Sequence, residues 1–330
     1  MYIKIAVLPP LKTQRRVFTQ SHIAQLTAIG EVTLYPDEVV TLESTKKNIQ
    51  NADVAITGWG CLPLNRELLD QAPNLRAVFH SAGSVKPVVT DELWERGIRV
   101  SSANDPLGRG VAETALGLTI TSLKDMWHLS RKMESSGWSE TRVDVRELYG
   151  INIGVIGAGK AGQYYIKLLQ NFEVNVLLYD PFVTAEKAKE LGTTKVELED
   201  LMARSDVVSI HAPSLPSTNN MINAANLSLM KDDAILINTA RGSVIDEPAL
   251  IAELQKGRLF ACIDVTNPEP PPADHPFRSL PNCILLPHIA GAVNNGAFRL
   301  GQFSIDELKR FLAGEAMEGE VRQEQMASLA

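Results

Sequence analysis

Three side chains of unlike chemistry follow short apolar runs in the second half of this chain: Arg241, Glu269 and His288. Arg241 lies in Asn238-Thr-Ala-Arg241-Gly242, Glu269 in Asp264-Val-Thr-Asn-Pro-Glu269-Pro270, and His288 in Pro287-His288-Ile-Ala-Gly291. A guanidinium is a forked anion binder, an imidazole exchanges a proton near neutral pH, and a carboxylate can orient either. Singly, each would read as a surface ion pair or a satisfied structural residue. Three consecutive strand ends that deliver all three to one edge of a sheet read instead as a reaction centre.

The stretch Ile151–Asp180, INIGVIGAGKAGQYYIKLLQNFEVNVLLYD, says what stands beside them. An apolar β run ends in Gly157-Ala-Gly159-Lys-Ala-Gly162, a mostly apolar helix follows, and Val174–Tyr179 forms the next strand. Asp180 closes it, 18 residues after Gly162. In a dinucleotide-binding unit the first glycine permits the tight turn and the second lets backbone approach a pyrophosphate. The third lets the helix lie against the strand, and an acid at the end of the second strand accepts ribose hydroxyls. A glycine turn alone joins many strands to helices. The flanking runs and the spaced acid together favour nucleotide binding over a plain structural turn.

Composition limits the remaining choices. A chain of 330 residues predicts two domains, and 45% hydrophobic with 22% charged residues is ordinary for a soluble protein. The net charge of -7 argues against a nucleic-acid partner, as does the absence of long Lys/Arg runs. No apolar run approaches the roughly 20 residues of a membrane span. The opening MYIKIAVLPP reads as a strand, too brief for a signal-peptide core. Cys61, Cys262 and Cys283 lack CxxC spacing and read as reduced core residues, which points to the cytoplasm. No His/Cys/Asp/Glu spacing suggests a metal. His22, His128 and His275 show no partner pattern, and His211 ends a strand near the expected nucleotide.

Short apolar strands alternate with helices along the whole chain, which predicts α/β architecture: two Rossmann-like or flavodoxin-like domains with mostly parallel sheets and an interdomain cleft. Strands are expected at Ile3–Leu8, Val32–Tyr35, Val54–Thr57, Ala77–His80 and Arg99–Ser101. Helices are expected at Arg16–Ile29, Leu42–Gln50, Asn65–Ala72 and Thr90–Arg96. Pro106 and Gly108 mark Asn104–Gly108 as a loop, Val111–Leu129 as one long apolar helix, and Ser135–Gly150 as a polar stretch. Beyond Asp180, strands are expected at Val207–His211, Ala234–Asn238, Ala261–Val265 and Cys283–Leu286, and a last helix at Ala292–Ala313 precedes a polar tail. The nucleotide domain is placed at residues 102–289. Residues 1–101 with 290–330 form the other.

The order and spacing of these motifs resemble the D-isomer-specific 2-hydroxyacid dehydrogenases. The resemblance covers nearly the whole chain and rests on Val111-Ala-Glu113, Gly157–Gly162 with Asp180, Asp206-Val-Val-Ser-Ile-His-Ala-Pro213, Asn238–Gly242, Asp264–Pro270 and Pro287–Gly291. Ala161 departs from it, standing where a branched aliphatic residue is usual, and Tyr164-Tyr165 are bulkier than common. The resemblance implies a hydride exchanged between NAD(H) and a small 2-hydroxy or 2-oxo acid. Arg241 would hold the carboxylate and carbonyl oxygen, His288 would be the acid or base, and Glu269 would orient the imidazole. Gly157, Gly159, Lys160, Ala161, Gly162 and Asp180 would bind the cofactor, with Thr239, Ala240, Asp264 and Gly291 on its nicotinamide side. Ser81-Ala82-Gly83-Ser84 matches the loop whose N–H groups grip the substrate carboxylate; read as residues alone it is a glycine turn.

Further expectations follow. Asp180 with no arginine after it favours NAD over NADP. A homodimer through the nucleotide domain would cover the long apolar helix. The loop Gly58-Trp59-Gly60-Cys61 holds no cation before Arg66, which predicts an uncharged substrate tail. The alternative reading is an NAD(H)-sensing, corepressor-like regulator on the same scaffold.

Overall fold

The computed structural model describes residues 3–136, 145–327 and 329. It divides into two compact units, Met1–Leu107 with Ala292–Ala330, and Gly108–Gly291. The strands of the first unit are β1 (Ile3–Val7), β2 (Gly30–Leu34), β3 (Val54–Thr57), β4 (Ala77–His80) and β5 (Arg99–Ser102). The second unit contributes β6 (Tyr149–Ile156), β7 (Glu173–Tyr179), β8 (Thr194–Lys195), β9 (Val207–Ile210), β10 (Ile235–Asn238), β11 (Phe260–Ile263) and β12 (Cys283–Leu285). The tail returns as β13 (Glu320–Val321).

Each unit is an α/β layer built on its own sheet. The first runs β13-β5-β4-β3-β1-β2, parallel except for β13; the second runs β12-β11-β10-β9-β6-β7-β8, parallel throughout. Parallel sheets are covered on both faces, so their strands read as unbroken apolar runs rather than alternations. Accordingly β3 (VAIT), β4 (AVFH), β9 (VVSI) and β10 (ILIN) are buried at every position. Strand order reverses at β1 in one sheet and at β6 in the other. At such a switch point neighbouring loops leave in opposite directions and open a crevice outside the carboxyl ends, where open α/β sheets hold ligands.

Four expectations from the sequence are corrected. Arg16–Ile29 is two helices, Leu11–Val17 and Gln20–Ile29, because Thr19 caps the second. The Thr19 hydroxyl accepts the His22 N–H at 3.3 Å and His22 Nδ1 accepts the Thr19 N–H at 3.2 Å, so His22 does have a partner. Asn104–Gly108 is not a loop but the first turn of a helix, Asn104–Leu123. Pro106 sits where a missing N–H costs little. A Cβ on Gly108 would stand 2.9 Å from the Ala161 nitrogen, so the glycine admits this helix against the nucleotide turn. The helix then stops: Asp125 adopts a left-handed φ of 48° and a separate helix, Met126–Ser136, follows, so Val111–Leu129 is not continuous.

The tail is also more than a polar end. Buried Glu307 accepts the N–H groups of Glu318 and Gly319 at 3.0 and 2.9 Å and the Ser101 hydroxyl at 2.6 Å, which lays β13 antiparallel to β5. Much of the expected polar stretch Ser135–Gly150, residues 137–144, lies outside the described residues, as do Met1, Tyr2, Leu329's two neighbours and their part of the tail.

Candidate active site

At the switch point of the second sheet, Gly157 follows β6 with φ 93°, in the left-handed region that glycine enters without cost. A Cβ there would press within 3.0 Å of Ala212 on the neighbouring strand's loop, and one on Gly162 would lie 2.1 Å from the Gly157 carbonyl oxygen. A Cβ on Gly159 would meet nothing within 4 Å. Two glycines are thus demanded by the fold, and the middle one keeps space open in front of the turn. Gly159 is also the N-cap of helix Lys160–Leu169 and supplies no capping side chain, so the positive end of a ten-residue helix faces that space. The Asp180 carboxylate accepts the Ala158 N–H and the Phe182 N–H, both at 2.8 Å, and retains lone pairs for a diol. Deeper in the crevice, Thr239 is 5% exposed and its hydroxyl has no partner among the described residues. An open cradle, a bare helix start and an orphaned hydroxyl fit a dinucleotide.

The acid–base candidates meet at the carboxyl ends of β10, β11 and β12. The Nδ1–H of His288 donates to Glu269 Oε1 at 2.5 Å; a carboxylate only accepts, so the proton lies on Nδ1 in the neutral ring. Half the His288 side chain is exposed, and its Nε2 has no partner among the described residues. Asp264 fixes this histidine from below. Its carbonyl accepts the His288 N–H at 3.0 Å and its buried carboxylate accepts the Ile289 and Ala290 N–H groups, each at 2.8 Å. Those bonds hold His288 at φ 52°. Asp264, expected to line the nicotinamide side, therefore spends one lone pair of each oxygen on the loop that ends at Gly291.

Arg241 is carried by an Asn238 clasp. The Asn238 side chain accepts the Ala240 N–H at 3.0 Å and donates to the Arg241 carbonyl at 2.9 Å, shaping Thr239–Arg241 as the chain leaves β10. One Arg241 nitrogen, Nη1, donates to the Ala240 carbonyl at 2.7 Å, leaving most of the fork unspent among the described residues. Burial pushes this guanidinium down from its ordinary value and the nearby Glu269 charge pushes back. Glu269 thus serves both neighbours electrostatically. A Cβ on Gly242 would stand 2.2 Å from the Thr266 carbonyl carbon, so glycine lets the arginine loop lie directly on the glutamate loop. Beside the pair opens a cavity of about 330 Å³ lined by Asp264, Thr266, Arg278, Leu285 and Pro287 as well as Glu269 and His288.

Sequence reasoning missed the support under Glu269. Glu247, 9% exposed, accepts the Asn267 N–H at 2.7 Å with one oxygen and lies 3.2 Å from His275 Nε2 with the other. His275, which shows no partner pattern in the sequence, thus pairs with a residue 28 positions away. Burial pushes the Glu247 carboxyl up, and the bonds to Asn267 and His275 oppose it. The Asp246-Glu247 pair beside Gly242 was the available signal.

In the first unit, Ser81 and Ala82 are buried while Gly83 and Ser84 reach the surface layer. The Ser81 hydroxyl meets that of Ser304 at 2.7 Å, and Ser102 donates to the Gly83 carbonyl at 2.5 Å. No acceptor is present for the N–H groups of Ala82, Gly83 and Ser84 among the described residues. The neighbouring loop after β3 is met by a cation that its own sequence does not supply. Arg66 does lie on the following helix, Arg66–Leu69. From helix Leu11–Val17, the Arg16 guanidinium stacks 4.6 Å from the centre of the Trp59 ring.

Comparison with known proteins places these motifs. A model of the D-isomer specific 2-hydroxyacid dehydrogenase NAD-binding domain matches residues 116–290. The chain is 31% identical to a D-3-phosphoglycerate dehydrogenase of Methanocaldococcus jannaschii over 97% of its own length, spanning 59% of that relative. It is 31% identical to a hydroxypyruvate reductase of Blautia hydrogenotrophica, over 88% of this chain and 91% of that one. A solved phosphoglycerate oxidoreductase from Rhizobium etli shares the fold with a TM-score of 0.84 at 24% identity, covering 98% of this chain and 99% of the other.

Proposed function

Because the chain belongs to the D-isomer specific 2-hydroxyacid dehydrogenase family, whose nucleotide domain binds NAD(P), we propose that it interconverts a small 2-oxo acid and its D-2-hydroxy acid with NAD(H). The observation that carries this reading is the Glu269–His288 bond, which points the protonated nitrogen at a carboxylate and leaves Nε2 for a reacting oxygen. NAD(H), when bound, supplies or accepts the hydride. The chain does the rest. The glycine turn and helix start at Gly157–Gly162 would hold the pyrophosphate, Asp180 the adenosine ribose, and Thr239, Ala240 and Gly291 the nicotinamide end.

Arg241, with Nε and Nη2 unspent among the described residues, holds the acid's carboxylate and polarises its carbonyl. His288 Nε2 delivers a proton to that oxygen in reduction and removes it in oxidation. Glu269, by accepting the Nδ1 proton, orients the ring for that transfer. In the first unit, the N–H groups of Ala82, Gly83 and Ser84, which have no acceptor among the described residues, are of the kind that binds a carboxylate. The half-buried position of Arg241 strengthens its own contacts relative to water.

NAD is preferred to NADP because Asp180 would face a 2′-phosphate. The functional species is a homodimer joined through the nucleotide unit, and its place is the cytoplasm, where three unpaired cysteines stay reduced. Among the described residues no helix is long and apolar enough to cross a membrane. The test is NADH oxidation against a panel of 2-oxo acids, with light scattering at micromolar concentration for the dimer. Tight NADH binding with no turnover of any acid would replace the enzyme by a nucleotide-sensing regulator.

A further inference from the structure

Arg16 ends up where the first sheet changes direction. It lies in helix Leu11–Val17, which follows β1, and Trp59 lies in the loop after β3, the next strand. The two loops are packed together: the Thr13 hydroxyl donates to the Trp59 carbonyl at 3.1 Å, and a Cβ on Gly58 or Gly60 would sit 3.3 or 3.2 Å from Pro9 or Pro10. The guanidinium lies over the indole and donates once, from Nη2 to the Ala292 carbonyl at 2.8 Å. Its neighbour Arg15 pairs with Glu38 at 3.0 Å, whereas Arg16 meets no carboxylate among the described residues. A stacked arginine is held in orientation at little further entropic cost, and most of its five donors remain available.

The next strand along, β4, carries the Ser81–Ser84 loop, in which the N–H groups of Ala82, Gly83 and Ser84 have no acceptor among the described residues. All three loops leave the same carboxyl edge, and strands two apart in a sheet are about 10 Å from each other. One end of a short ligand can therefore be held at Ser81–Ser84 and the other at Arg16.

We propose that Arg16, backed by Trp59, reads the tail of the substrate, and that the preferred 2-oxo acids carry a second anionic group, a carboxylate or a phosphate, at that end. The inference rests on the dehydrogenase reading above for the reaction, and on the first unit alone for the residue. It reverses the uncharged tail expected from the loop sequence, since the cation comes from another helix.

Matched pairs test it: 2-oxovalerate against 2-oxoglutarate, 2-oxobutyrate against oxaloacetate, and hydroxypyruvate against 3-phosphohydroxypyruvate, each with NADH. The wild-type protein should favour the anionic member of at least one pair in kcat/KM. The first two pairs report a carboxylate tail and the third a phosphate. Arg16→Gln should shrink that ratio by about ten- to hundred-fold, through KM of the anionic member, the value of a lost charge-assisted bond. Lys12→Gln, an exposed cation on the same helix, should leave the ratio in place.

A wild-type preference for the neutral member of every pair would overturn the proposal. So would an Arg16→Gln loss of equal size on both members, which marks a clamp on Ala292 and nothing more. Where no acid turns over, calorimetric titration of the same acids into the NADH complex decides it separately. Arg16-dependent binding of anionic tails upholds the site while the reaction falls, and its absence removes the site.

Discussion

The carboxylate of Glu247 holds the backbone N–H of Asn267 at 2.7 Å, two residues before Glu269. On its far side it meets His275, whose Nδ1 accepts the Phe277 N–H at 3.3 Å and whose ring is therefore protonated at Nε2. The glutamate that orients the imidazole is thus itself placed by a buried pair. Glu247→Ala should lower kcat by about 10- to 100-fold, as loss of outer support under a reacting group commonly does, with a smaller rise in KM. Glu247→Gln, which keeps one acceptor for Asn267, should recover part of it. Steady-state kinetics that leave kcat intact in the alanine variant would remove the pair from this role.

Substitution of the acid–base pair separates two duties. His288→Asn should cost about 10²–10⁴ in kcat with NADH affinity retained, and asparagine tolerates the left-handed backbone held there. Glu269→Gln should lower kcat less than His288→Asn does, because an amide oxygen can still accept the Nδ1 proton but without the charge. Unchanged kcat in the glutamine variant would strip Glu269 of its assignment.

Gly159 and Gly162, in the same turn, give opposite expectations. Gly159→Ala meets no protein atom, so its thermal midpoint should stay near wild type while NADH binding, followed by fluorescence, weakens at least about ten-fold. Gly162→Ala drives a Cβ to 2.1 Å from the Gly157 oxygen and should destabilise the fold by about 1–3 kcal/mol. Equal NADH affinity in Gly159→Ala would mean that the space in front of the turn is not the pyrophosphate site.

Cofactor choice turns on Asp180. A 2′-phosphate would face its carboxylate, and the residues that follow, Pro181 and Phe182, bring no cation. The ratio of kcat/KM for NADH over NADPH should exceed one by a wide margin and contract in Asp180→Ala. Equal efficiency with both cofactors in the wild type sinks this assignment.

Acid should destabilise the fold through two buried histidines. Burial pushes His211 down to about 3 and His80 down to about 4. In the folded protein both rings stay neutral where the unfolded chain, near 6.5, takes up protons. Their contribution is therefore present above about 6.5 and is lost as pH falls toward 4 and then 3, at up to ~1.4 kcal/mol per pH unit for each proton. Denaturant titrations between pH 7 and 4 should show this slope, and it should be shallower in His211→Gln. An unchanged slope would clear His211.

What the sequence disclosed and what it hid follow from range. Buried parallel strands are unbroken apolar runs, so Val54–Thr57 and Ala77–His80 were located to the residue. The glycine turn and the three strand-end residues were legible because each depends on its own few neighbours. Two-residue strands such as Thr194–Lys195 and Glu320–Val321 carry no period to detect. The break at Thr19 was hidden because a histidine, not a glutamate, closes its capping box. Arg16 on Trp59 and Glu247 on Asn267 are tertiary pairings, and nothing local announces them.

Each sheet reverses its order beside one strand, β1 or β6, and each reversal opens its own crevice. The groups assigned to the acid's tail and those assigned to the dinucleotide are therefore folded by different segments of chain around different cores. Mutation can retune one without entering the packing that sustains the other. On the proposed assignments, a change of substrate tail at Arg16 and Trp59 would leave Gly159 and Asp180, in the other unit, untouched.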